Sequence, residues 1–188
     1  MINDIMWQSF VPLWKGLRAV SDRIIVTGGY ALFLKQQWLV SRPEIKTVVN
    51  VGDWQDFNPR VTKDFDLIAG IDLIASPEQQ KLVDIVLKSL DFEPVPGHEY
   101  WKFRKTVGTE QFIILEFHSA PPEKSIDNIK VDERRVKHIP SLKGTGIHGR
   151  INPEAQGSEA GAFIFSLEDV KIAIPNPVSI SVMKLTAM

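Results

Sequence analysis

The sequence of 188 residues contains no cysteine, so disulfide bonds and thiolate metal sites are excluded. Long apolar runs are missing too, because the stretch at 112–117 is bounded by polar residues and is far shorter than a membrane span. No charge predominates: 22 basic and 23 acidic residues give a net charge of −1, so no global field attracts nucleic acid or an anionic membrane. We expect a cytoplasmic protein that does not bind membranes, and the first residues do not resemble a signal peptide.

The histidines also lack metal-binding spacing. The four of them, His98, His118, His138 and His148, form neither an H-x-H nor an H-E-x-x-H pattern. A zinc hydrolase is therefore the least favoured class of function.

Composition and periodicity indicate an ordinary folded domain. An apolar fraction of 44% and a charged fraction of 24% are typical of globular proteins, and we expect one domain over residues 1–188. The pattern predicts an α/β fold, a small mixed sheet with helices packed mainly on one face. Helices are predicted at 4–20, 30–39, 76–91 and from 177 onward, and strands at 23–27, 63–69, 100–104, 111–118, 163–165 and 170–174.

Two segments have weaker patterns. Residues 41–59 are interpreted as an insertion with a short edge strand at 47–51, and residues 140–162 as a flexible loop rich in glycine, proline and serine.

The strongest chemical signal is the D-x-D pair at Asp64 and Asp66. In a strand, both carboxylates lie on one face and Phe65 and Leu67 on the other. Two adjacent carboxylates repel each other, so they favour a bound cation such as Mg²⁺ or a solvated edge. Two exposed acids without a ligand are the structural alternative.

A glycine pair follows the first predicted strand. Gly28 and Gly29 come after Thr27 and precede a helix, where bare amide groups bind phosphate well. A sharp strand-to-helix corner without a ligand explains the pair equally well.

A third acid, Glu116, lies in the apolar run of the predicted strand 111–118, which forms a hairpin with the strand 100–104. Its charge requires a partner.

Taken together, these residues resemble the nucleotidyltransferase superfamily, and most of all the AbiEii-type toxins and related minimal nucleotidyltransferases. The resemblance covers roughly residues 20–188 and rests on Thr27–Leu32, Arg60, Thr62, Asp64, Asp66, Glu116 and the lysine-bearing segment 183–187. Two departures are a longer interval between Gly29 and Asp64, and the absence of a further acidic motif after the lysine helix.

The resemblance implies a magnesium-dependent transfer of a nucleoside monophosphate from an NTP to a hydroxyl of RNA, a protein or a small molecule. Asp64, Asp66 and Glu116 would hold two Mg²⁺ ions, and Lys184 would neutralise the departing pyrophosphate. Thr27, Gly28, Gly29 and Lys63 would contact the nucleotide. A cognate antitoxin is a further implied partner. The alternative is a catalytically incomplete module of the same fold that binds a nucleotide or a partner.

Overall fold

The computed structural model describes residues 5–48, 63–109, 111–140 and 146–186. These residues form a mixed α/β fold, which confirms the predicted class. In chain order the elements are α1 (Ile5–Gly16), β1 (Ile24–Thr27), α2 (Gly28–Val40), β2 (Asp64–Ala69), α3 (Ile71–Ala75), α4 (Pro77–Ser89), β3 (Glu93–Pro94), β4 (Lys102–Val107), β5 (Gln111–Ser119), β6 (Ile129–Val131), β7 (Arg135–His138), β8 (Gly149–Ile151), β9 (Phe163–Leu167), β10 (Val170–Ile174) and α5 (Pro177–Thr186).

Within the described ranges the main sheet has eight strands, and its principal path runs β1-β2-β5-β8-β7-β6. β2 and β5 are parallel, whereas β1 pairs antiparallel with β2, and β4 pairs antiparallel with β5. β9 and β10 form a separate antiparallel hairpin. The indole nitrogen of Trp14 in α1 donates a hydrogen bond of 2.6 Å to the carbonyl of Lys171, which ties this hairpin to the first helix.

One face of the main sheet packs against the hydrophobic core. Phe65 and Leu67 of β2 are fully buried, and the Phe65 ring lies 5.5 Å from Phe10 and 4.9 Å from Tyr30. In α4, Gln80, Val83 and Leu87 form the buried side of the helix, whereas Leu82 is exposed. Burial of Phe65 holds β2 with its intervening acids on the opposite face.

A smaller cluster covers part of that opposite face. Ile25 of β1 and Ile68 of β2 pack with Ala155, and Met183 of α5 packs against them. The contact of Met183 places α5 beside β2, the strand that carries Asp64 and Asp66. None of the described helices is long and apolar enough to cross a bilayer.

The two segments with weak sequence patterns, 41–59 and 140–162, differ in how far the structure describes them. Residues 149–151 form β8 within the main sheet and 153–155 form a 3-10 helix, so the prediction that 140–162 has no regular structure was wrong there. The glycine-rich composition gave no local signal for this three-residue strand, because its stability comes from pairing with strands distant in the sequence. Most of the proposed insertion, the edge strand beyond residue 48, and Arg60 and Thr62 lie outside the described residues.

Candidate functional site

The D-x-D strand and the strand of the third acid are direct neighbours. In the parallel pairing of β2 with β5, Asp66 is opposite Glu116, and Asp64 is opposite Ile114. Paired residues share a sheet face, and residues two apart in a strand share it as well. Asp64, Asp66, Glu116 and His118 therefore all lie on the face opposite the core.

Three of these side chains converge closely. The Nε2 atom of His118 lies 3.4 Å from Oδ1 of Asp66 and 3.9 Å from Oε2 of Glu116. One potential ligand atom from each of the three residues lies within 4.8 Å of the other two. Two carboxylates and an imidazole at this separation fit a single divalent cation.

Glu116 already has cationic partners within the protein. The Nζ atom of Lys102 lies 2.6 Å from Oε1, and Nη1 of Arg150 lies 3.4 Å from Oε2. The Glu116 side chain is only 12% exposed, so these two cations offset the cost of burying its charge. The sequence indicated that Glu116 needs a partner; the structure supplies one from β4 and one from β8.

Asp64 lies at the edge of the group. Burial raises the pKa of its carboxyl, the negative charges of Asp66 and Glu116 raise it further, and Lys102 lowers it. Asp64 thus interacts electrostatically with both acids, but the tightest group of ligand atoms contains His118 in its place. The predicted acids share one face, while the closest metal-ligand set is Asp66, Glu116 and His118.

The glycine corner lies against Asp66. β1 and β2 pair with Thr27 opposite Asp66, and α2 begins at the next residue, Gly28. Gly28 has φ of +71°, and a Cβ atom there would overlap the Asp66 carboxylate. The position therefore requires glycine for both its backbone conformation and its space.

The first turn of α2 has no side-chain cap. The Thr27 hydroxyl does not bond its helix and instead lies 3.8 Å from the sulfur of Met183 in α5. The first amide groups of a helix have no intrahelical partner, so they are suited to binding an anion.

A pocket of about 180 Å³ opens at this corner. Its lining comes from β1, α2, β2, β5, α5 and the residue after β8, and consists of Thr27, Gly28, Asp66, His118, Asn152, Ile180, Met183 and Lys184. Lys184 is exposed in the last turn of α5, where the sequence predicted a lysine-bearing helix after a strand and a proline. Gly29 is buried within α2, and Lys63 is an exposed residue directly before β2.

A larger cavity of about 660 Å³ lies at the carboxyl ends of β2 and β5. Its lining is mainly apolar, and its polar part includes Arg23, whose Nε lies 3.1 Å from Oδ2 of Asp72. It contains none of the converging acids. The smaller pocket contains Asp66 and His118 of the converging group, so we assign the chemistry to it.

His118 is the main site residue that sequence reasoning missed. Its spacing from Glu116 reproduces the spacing of Asp64 and Asp66, so alternation alone places it on the face of Glu116. Asn152 and Lys102 were missed because their proximity depends on the pairing of β8 and β4 with β5.

Comparisons with known proteins add no assignment: no protein family, curated protein or solved structure matches this chain.

Proposed function

We propose that this protein is a divalent-cation-dependent nucleotidyltransferase that moves a nucleoside monophosphate from an NTP to a hydroxyl acceptor, with Mg²⁺ as the expected ion. The observation that carries the proposal is the in-register pairing of Asp66 with Glu116, beside an uncapped helix N-terminus at Gly28. A bound cation would polarise the phosphate oxygens and lower the pKa of the attacking hydroxyl.

The proposed role of each residue follows from its position in the site. Asp66, Glu116 and His118 supply the ligand atoms, and Asp64 adds negative charge along the same strand face. The amides of Gly28 and Gly29 bind phosphate oxygens of the nucleotide at the start of α2. Because the Asp66 carboxylate lies against this corner, a cation held by Asp66 would offset the repulsion between that carboxylate and a bound phosphate.

The transfer replaces one phosphorus–oxygen bond with another. The acceptor oxygen forms a bond to the α-phosphorus, and the bond from that phosphorus to the oxygen bridging to the β-phosphate breaks. Pyrophosphate leaves with the bonding electrons, and the acceptor proton is released to solvent. Lys184, at the rim of the pocket, neutralises the charge that develops on the pyrophosphate.

Label transfer tests the proposal. The protein is incubated with each α-labelled NTP, Mg²⁺ and a mixture of RNA, protein and small-molecule acceptors. Asp66→Asn should abolish transfer, and Asp169→Asn, a matched change in the exposed β9–β10 turn, should leave it intact. Equal transfer by wild-type protein and a folded Asp66→Asn variant would refute the assignment.

A binding module without turnover is the second candidate. The close contacts of Lys102 and Arg150 with Glu116 favour it, because a carboxylate neutralised by protein cations binds metal less tightly. Calorimetric binding of NTP with no pyrophosphate release under any acceptor condition would support the module over the enzyme.

A further inference from the structure

The candidate metal ligands include a nitrogen atom. Nε2 of His118 lies 3.4 Å from Oδ1 of Asp66 and 3.9 Å from Oε2 of Glu116, so an imidazole lies among the carboxylate oxygens. Mg²⁺ is a hard cation that usually binds oxygen ligands, whereas imidazole nitrogen is a ligand of first-row transition-metal ions. This donor set therefore fits a transition-metal ion better than Mg²⁺, the ion that the resemblance implies.

The three side chains are also largely shielded from solvent. Those of Glu116 and His118 are 12% and 13% exposed, and that of Asp66 is 28% exposed. Mg²⁺ releases water reluctantly and usually keeps several water ligands beside one or two carboxylates. An ion bound by all three side chains gives up a water molecule to each of them. Sites that combine imidazole with carboxylate in this way are typical of zinc and iron.

Protein cations reduce the negative charge that a bound ion would meet. Nζ of Lys102 lies 2.6 Å from Oε1 of Glu116, and Nη1 of Arg150 lies 3.4 Å from Oε2. Mg²⁺ is held mainly by the negative charge of its oxygen ligands, so these contacts weaken its binding. Imidazole binds a metal as a neutral ligand, so its bond depends less on the charge of the site. The two cations therefore discriminate further against Mg²⁺.

We propose that the site selects a divalent first-row transition-metal ion over Mg²⁺ and that His118 is the residue that does so, an inference that deepens and rests on the proposed function. Affinity should rise from Mg²⁺ through Mn²⁺ to Co²⁺. A transition-metal ion supplies the Lewis acidity that the transfer needs. Asp66 and His118 both line the pocket at the glycine corner, so their ligand atoms are accessible from that pocket.

An ion pair is the alternative role for His118. A protonated imidazole would attract the Asp66 carboxylate at the same distance of 3.4 Å without any metal. As an ion-pair partner, His118 competes with a bound cation, so its removal would leave cation binding unchanged or stronger. As a ligand, its removal weakens the binding of transition-metal ions selectively. The two roles therefore predict different effects of the same substitution.

Metal binding by the full chain without nucleotide tests the proposal, at a pH above the pKa of free imidazole. Calorimetry measures the affinities for Mg²⁺ and Co²⁺, and the visible absorption of Co²⁺ follows its binding independently. The wild type should bind Co²⁺ at least about 100-fold more tightly than Mg²⁺. His118→Asn should weaken Co²⁺ binding at least about tenfold but change Mg²⁺ binding less than about threefold.

Two variants serve as controls. Asp66→Asn should weaken the binding of both ions, and His98→Asn, a change at an exposed histidine, should affect neither. The comparison of the two ions on the wild-type protein needs no variant, so it decides the question even where His118→Asn unfolds. The proposal is overturned if the wild type binds Mg²⁺ as tightly as Co²⁺, if a folded His118→Asn binds Co²⁺ like the wild type, or if that variant loses both ions equally.

The transfer reaction is tested separately with Mg²⁺ and with Co²⁺. Tight, His118-dependent Co²⁺ binding by a protein that transfers no label with either ion refutes the transferase and leaves the ion selectivity. Label transfer by a protein that binds Mg²⁺ as tightly as Co²⁺ refutes the ion selectivity and leaves the transferase.

Discussion

Gly28, the first residue of α2, lies directly against the carboxylate of Asp66, the second acid of the D-x-D strand. A methyl group at position 28 would overlap that carboxylate. Thr27 and Asp66 are also paired across β1 and β2. The glycine corner and the acidic strand are therefore one structural unit, in which a change in either displaces the other.

Gly28→Ala tests this unit. A left-handed conformation costs a non-glycine residue about 1–2 kcal/mol, and displacement of Asp66 adds to the loss of unfolding free energy. Gly161→Ala is the control, because Gly161 has a similar φ of +69° but no atom within 4 Å of its Cβ position. Chemical denaturation should show the larger loss for Gly28→Ala. Equal losses would mean that the Asp66 contact is unimportant.

Lys102→Gln should strengthen metal binding. Its ammonium lies 2.6 Å from Glu116 and competes with a cation for that carboxylate. Its loss should raise the affinity for Mn²⁺, used as a spectroscopic substitute for Mg²⁺, roughly fivefold, equivalent to about 1 kcal/mol. Lys105→Gln is a matched control on the same strand, facing the other way. Weaker binding in Lys102→Gln would instead identify Lys102 as a residue that positions Glu116.

His118 is expected to ligate the ion directly. Electron spin echo modulation of bound Mn²⁺ should contain a ¹⁴N signal in the wild-type protein, because an imidazole nitrogen lies among the ligand atoms. The signal should disappear in His118→Asn and persist in His98→Asn, an exposed histidine. A wild-type spectrum without nitrogen coupling would leave an all-oxygen site.

The stability of the β7–β8 region should depend on His148. Burial, together with the charges of Arg135 and Lys137, lowers the pKa of His148 from 6.5 to about 4. The guanidinium of Arg135 lies 3.4 Å from Nδ1, and because arginine only donates, the ring must accept in its neutral form.

The sign of the pH effect follows from that shift. The unfolded chain protonates at higher pH than the folded protein, so stability is full above pH 6.5 and decreases as the pH falls from 6.5 toward 4. Thermal unfolding should show a shallower pH dependence in His148→Asn than in His98→Asn. Identical slopes in the two variants would assign the effect to other groups.

Local sequence signals predicted the acidic strand face and the glycine corner better than they predicted the contacts around them. Alternation placed Asp64 and Asp66 opposite buried Phe65, and the Thr27–Gly28 transition marked the strand-to-helix corner, because both depend on residues adjacent in the chain. The pairing of Asp66 with Glu116 and the contact of Arg150 with Glu116 depend on which distant strands meet and in which register. No local pattern specifies that register.

Divalent-cation binding by Asp66→Asn tests the central claim most directly. In a Mn²⁺ titration followed by electron paramagnetic resonance, the wild-type protein should bind the ion, and Asp66→Asn should bind it at least about tenfold more weakly. Asp169→Asn should match the wild type, with all proteins unfolding cooperatively. If Asp66→Asn binds Mn²⁺ as tightly as the wild type, Asp66, Glu116 and His118 do not form a metal centre.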